Sequence, residues 1–118
     1  MMSHNSMSQV MRQCVKECAD CHEVCAETVL HCLRMGGNHA NPEHIRLLLD
    51  CGQICDTSKD FLLRGSDLHA HTCAACAEVC QRCADDCNRM STESQMKRCA
   101  DACSRCAESC QSMAGDIA

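Results

Sequence analysis

Sixteen cysteines dominate the chemistry open to this chain. They fall in four groups: Cys14, Cys18, Cys21, Cys25 and Cys32; Cys51 and Cys55; Cys73, Cys76, Cys80, Cys83 and Cys87; and Cys99, Cys103, Cys106 and Cys110. Within each group the steps are threes and fours, or their sum, the spacing of an a/d stripe along one helix face. Thiolates are soft ligands that select Cu(I), zinc and iron–sulfur clusters over hard cations. Zinc wants closed sets of four ligands, and an iron–sulfur cluster needs four cysteines about one compact centre. Continuous stripes suit Cu(I) better, because it accepts two or three sulfurs and residues at i, i+4 stand about 6 Å apart. Zinc or iron–sulfur binding by the same cysteines is the alternative.

Charge points the same way. Many thiolates in a narrow interior repel one another unless counterions sit among them. One Cu(I) per thiolate leaves the interior neutral, so the capacity should be on the order of the cysteine count, with about one proton released per ion. Zinc would reach neutrality at about half that load.

The elements that position these residues follow from the breakers between them. Gly36-Gly37-Asn38-His39-Ala40-Asn41-Pro42, Gly65-Ser66-Asp67 and Ser91-Thr92 divide the chain into four segments. Asn41 is placed to cap a helix with Pro42 at its first position, and Thr92 and Gln95 have capping-box spacing. Helices are predicted over roughly 6–35, 42–64, 67–90 and 92–114. Short connections make neighbours antiparallel, so the expected fold is all-α: an up-down-up-down four-helix bundle with a Cys-lined core, one domain spanning residues 1–118.

The composition fits such a core. The chain has one Phe, no Trp and no Tyr, so sulfur must fill space that large apolar side chains usually fill. Its net charge is −5 with the signs interspersed, which argues against a nucleic-acid surface. The N-terminus lacks a cationic stretch followed by an apolar one, and no segment reaches the roughly 18 apolar residues of a membrane span. A cytoplasmic protein with reduced thiols is therefore expected, and no membrane partner.

The stripes run beyond the cysteines. Helix one adds His4, Met7, Met11, Thr28 and Met35; helix two adds His44, Leu48, Ser58 and Leu62; helix three adds His69 and Met90; helix four adds Met96 and Met113. No Asp, Glu, Lys or Arg occupies a stripe. Antiparallel packing gathers His4, Met7, Met11, Met113 and His69 at the end that carries the helix two-to-three connection. That end is the expected metal entrance, with His69 the preferred histidine ligand. Met35, Met90 and Met96 read as packing, and His22, His31 and His71 as solvated; His44 is left open. Ile45, Leu49, Ile54, Phe61, Val29 and Leu33 lie partly off the stripes, either packing on the flanks or forming a surface for homo-oligomerisation. A ferritin-like oxidase would need inward Glu and a Glu-x-x-His motif, neither of which occurs, so no enzyme is expected.

The motif C-A-x-C-x-x-x-C recurs at Cys18-Ala19-Asp20-Cys21-His22-Glu23-Val24-Cys25 and Cys73-Ala74-Ala75-Cys76-Ala77-Glu78-Val79-Cys80, with a close variant from Cys99 to Cys106. With the stripes on all four segments, it makes the chain, from His4 to Met113, resemble the bacterial copper storage proteins of the cytosolic type. The resemblance implies a homotetramer of bundles, many Cu(I) ions on the core cysteines, and entry past His and Met at one open end. It also implies copper-acceptor proteins as partners. Helix two has only Cys51 and Cys55, which implies a smaller load than in richer relatives.

Overall fold

The computed structural model describes residues 7–90 and 92–115. Among them are four α-helices and one short 3-10 turn. Helix α1 spans Gln9–Met35 and begins where the Ser8 hydroxyl accepts a hydrogen bond from the Met11 N–H at 3.1 Å. It stops at Gly36 and Gly37, whose φ angles of +71° and +56° lie in the left-handed region that favours glycine. The 3-10 turn Gly37–Ala40 leads into α2, Pro42–Leu63. Asn41 caps α2 as expected, accepting from the Glu43 N–H at 2.9 Å, with Pro42 at the first helical position. Helix α3 spans His69–Asn88 and α4 spans Ser94–Ala114.

Boundaries differ from the sequence reading by up to three residues: α1 begins at Gln9 rather than 6, α3 ends at Asn88 rather than 90, and α4 begins at Ser94 rather than 92. Helix α3 starts at His69 rather than 67, because Ser66 closes a turn over Leu68 and His69. The Thr92–Gln95 capping box does not form. The Gln95 amide instead donates to the Thr28 hydroxyl on α1 at 2.9 Å, and Thr92 donates to Glu93. A contact between helices has displaced a local one.

Helix α1 packs on α2 and α4, and α3 packs on α2 and α4, while the diagonal pairs meet only through side chains across the centre. That is the square up-down-up-down arrangement, about 53 Å long. The stripes become its interior. On α2 the buried set is His44, Leu48, Cys51, Gly52, Cys55, Ser58 and Leu62, the expected stripe with Gly52 added. Helices α3 and α4 also bury Ala77, Ala84, Ala100, Ala102 and Ala107. These small side chains let the two backbones come close. The buried polar residues are Thr28, His44 and Ser58, and no buried side-chain nitrogen or oxygen among the described residues lacks a partner.

One stripe reading needs correction, and the flank residues divide between the two roles open to them. Met35 is 51% exposed, because α1 ends there and no helix covers it. Val29, Ile45 and Ile54 pack against their own core. Phe61 is half-buried, with the Arg64 guanidinium 5.0 Å above its ring. The large apolar side chains left exposed on helices are Val10, Leu30, Leu33, Met35, Leu49 and Leu63, all on α1 and α2. No described helix is long and apolar enough to cross a membrane.

Candidate metal centre

All sixteen cysteines are buried free thiols. Their sulfurs assemble into groups that share members along the bundle axis. Cys14, Cys73 and Cys110 form a trio at the end beside the α2–α3 connection. Cys110 also belongs to a quartet with Cys18, Cys76 and Cys106. Cys106 joins Cys21, Cys55 and Cys80; Cys21 joins Cys25, Cys51 and Cys103; Cys25 and Cys103 join Cys83 and Cys99. Within each group every sulfur lies within 4.8 Å of the others. The result is one column of linked sites.

Most links run between helices. Cys55 Sγ is 3.5 Å from Cys80 and 3.7 Å from Cys106; Cys51 Sγ is 3.6 Å from Cys80; Cys21 Sγ is 3.7 Å from Cys103. The expected i, i+4 pairs are present too, at 4.0 Å for Cys21–Cys25 and 3.7 Å for Cys76–Cys80. A metal–sulfur bond of about 2.3 Å sets ligands about 4 Å apart in a trigonal site and slightly closer in a tetrahedral one. The sulfurs therefore stand near coordinating distance already, and small rotamer changes would close them on an ion.

Proton sharing divides the thiols into two kinds. Cys18 is lowered to about 6, chiefly because Cys106 hydrogen-bonds to it, followed by Cys110 and Cys14. Cys73 is lowered to about 3 by bonds from Cys110 and Cys14. Cys55 and Cys103 go the other way, held protonated first by their bonds to Cys106 and Cys21, respectively. A thiolate that accepts several S–H bonds is stabilised, and its donors keep their protons. Filling the column with cations must expel the protons that these thiols share.

Among the residues read as entrance ligands, Met7 is half-buried, and Met11 and Met113 are half-buried against the core. They flank the Cys14–Cys73–Cys110 end. His69 is half-buried there, and its Nδ1 donates to the Ser66 carbonyl at 2.9 Å, which leaves Nε2 with a lone pair. His4 lies outside the described residues.

The stripes place His44 and Met96 at the opposite end, and the structure brings Cys32 against both. Cys32 Sγ is 3.3 Å from His44 Nε2 and 3.7 Å from Met96 Sδ, on three different helices. His44 is 4% exposed, and its Nδ1 is hydrogen-bonded to Asp86 at 2.5 Å, so its other nitrogen faces the sulfur. Burial pushes the Cys32 thiol up to about 11, with the charge of Cys99 as a lesser cause. Thiolate, imidazole and thioether at these distances could hold one soft ion. The signal was in the stripes, since Cys32, His44 and Met96 all lie on them. Asp86 lies off the α3 stripe and gave no sign of its role. His22 is not simply solvated either, because its Nδ1 lies 3.0 Å from the Gly52 carbonyl.

A four-helix bundle with a continuous thiolate interior defines a class of protein, one that takes up several soft metal ions. The family model for copper storage proteins matches residues 7–115, and the chain belongs to that family. A Nitrosospira multiformis protein of known crystal structure is similar at 37% identity, with 90% of this chain and 95% of that one covered and a TM-score of 0.84. The Cu(I)-bound copper storage protein BsCsp3, of Bacillus subtilis, is 32% identical over 91% of this chain and all of its own, with a TM-score of 0.84. A Streptomyces lividans copper storage protein loaded with 10 copper equivalents is 25% identical over 98% of this chain and 92% of its own, with a TM-score of 0.81. No curated protein sequence matches. The cargo of this chain is Cu(I), several ions per molecule, and its function is to store them.

Proposed function

We propose that Cu(I) is held on all sixteen core cysteines as linked clusters, at about one ion per thiolate, in a single domain that works in the cytoplasm. The observation that carries this reading is the sharing of Cys21, Cys25, Cys103, Cys106 and Cys110 between neighbouring sulfur groups. A shared cysteine can bridge two monovalent ions, whereas isolated tetrahedral sites would each need their own four ligands. Ions enter past Met7, Met11, Met113 and His69, with His4 as a further ligand on that side, and pass down the column by exchange between adjacent thiolates. Release to acceptor proteins follows the same exchange in reverse, and no catalysis is involved. The apolar side chains exposed on α1 and α2 support association of bundles into a homotetramer through that face.

An anaerobic Cu(I) titration against a chromogenic chelator tests the storage capacity. Saturation near the cysteine count is expected. Saturation at one to four ions, or co-purifying zinc at four cysteines per ion, would favour the zinc or iron–sulfur reading instead.

A further inference from the structure

A second cluster of ligand atoms lies outside the sulfur column. His31 is on α1, His39 in the 3-10 turn, and Glu93 immediately before α4. Glu93 Oε1 lies 3.1 Å from His31 Nε2 and 2.8 Å from His39 Nε2. The two imidazoles meet edge to face, with ring centroids 6.0 Å apart. The side chains are 27%, 16% and 28% exposed for His31, His39 and Glu93, so an ion from solvent can reach them. Glu93 occupies the N-cap position of α4 but makes no capping bond to its own helix. Its carboxylate is turned to the two imidazoles instead, and their hydrogen bonds, that of His31 first, hold it below its ordinary range.

We propose that His31, His39 and Glu93 form a binding site for a divalent ion of the zinc class, chemically separate from the Cu(I) column. Imidazole and carboxylate suit borderline divalent ions, while a wall of thiolates selects soft monovalent ones. Two histidines and one glutamate are three of the four ligands of a tetrahedral zinc site, with water taking the fourth position. Bonds of about 2.0–2.2 Å place the ligand atoms about 3.4 Å apart, so each imidazole need retreat only a few tenths of an ångström from Glu93. An ordinary ion pair needs one imidazole per carboxylate oxygen. Two imidazole nitrogens converging on a single oxygen make a pocket that a shared cation can organise. The three residues come from three elements, so a bound ion would pin the end of α1, the 3-10 turn and the start of α4 together.

The probe is Co(II), added anaerobically to protein already saturated with Cu(I), so that the thiolates are occupied. One equivalent should bind, with the visible d–d absorption of nitrogen and oxygen ligands and no thiolate-to-cobalt charge transfer, and Zn(II) should displace it. The thermal midpoint should rise on binding. His31→Ala, His39→Ala and Glu93→Gln should each weaken Co(II) binding by on the order of tenfold or more, a loss seen even for outer-shell partners, while leaving the Cu(I) capacity unchanged. No Co(II) binding, or binding that the three substitutions do not alter, overturns the proposal. So does a fall in Cu(I) capacity in the variants, which would tie these residues to the column. A failure of the storage reading shows earlier, as a low Cu(I) saturation point. It leaves the Co(II) difference between the unaltered protein and His31→Ala/His39→Ala still readable.

Discussion

The two ends of the bundle are built from the same inward stripes yet differ in chemistry. At the α2–α3 end, Cys14, Cys73 and Cys110 connect directly to the next quartet through Cys110, and half-buried Met11 and Met113 stand beside them. At the other end, Cys32 meets an imidazole and a thioether in place of further thiols, and Asp86 and Glu93 bring carboxylates close by. Thr28 and Leu48 occupy the stripe positions between Cys32 and the last sulfur quartet, and both are fully buried. A continuous run of sulfurs lets an ion move by exchange from one thiolate to the next. With a hydroxyl and a leucine from α1 and α2, only Cys87 and Cys99 on α3 and α4 offer soft ligands for the next step. The first end has the makings of a port, and the second of a constriction.

The largest expected effect concerns that constriction. Leu48→Ala opens a cavity in a site that cannot collapse fully, and should lower the unfolding free energy of the metal-free protein by about 2–5 kcal/mol in urea denaturation. A loss near zero would mean that the far end is loosely packed and is no barrier. Next comes the contrast in kinetics. Replacing Met7, Met11 and His69 together should slow Cu(I) uptake by on the order of tenfold with capacity nearly unchanged, whereas His44→Ala should leave the initial rate alone and remove at most about one ion. Stopped-flow mixing with a chelated Cu(I) donor separates the two. Equal slowing from either end would erase the distinction.

A smaller effect comes from titration at the far end. The Cys32 thiol is raised from the ordinary 9.0 to about 11, so the folded protein binds more protons than the unfolded chain between those values. The stability this contributes is complete below pH 9 and is lost as pH rises through about 11. Cys18, lowered to about 6, has the opposite sign: its contribution is present above pH 9 and lost as pH falls through 6. Thermal melts of the metal-free protein should therefore show the midpoint falling from pH 9 to pH 11, and Cys32→Ser should reduce that fall by up to about 2–3 kcal/mol in free energy. The smallest effect is at the surface. Breaking the exposed Arg98–Glu27 pair, 3.1 Å apart, should change stability by less than about 1 kcal/mol and uptake not at all.

How far these features could be read from the sequence follows from how local their causes are. The threes and fours between cysteines fix which helix face turns inward, and every cysteine is buried as that spacing requires. Asn41 and Pro42 announce the start of α2 by themselves. What escaped reading depends on contacts between elements. The amide that should have boxed the start of α4 is drawn off by Thr28, sixty-seven positions earlier. His44 gains its role from Asp86, which borders the α3 stripe without lying on it. His31, His39 and Glu93 share no periodicity and meet only because the ends of α1 and α4 coincide in space. Met35 continues the pattern in sequence but outruns the helices that could cover it.

Anomalous diffraction at the copper edge from Cu(I)-loaded crystals tests the linked column most directly. The account predicts copper positions strung along the axis, with Cys21, Cys103, Cys106 and Cys110 each bound to more than one ion. A few isolated ions, each enclosed by four cysteines that bind nothing else, would contradict it.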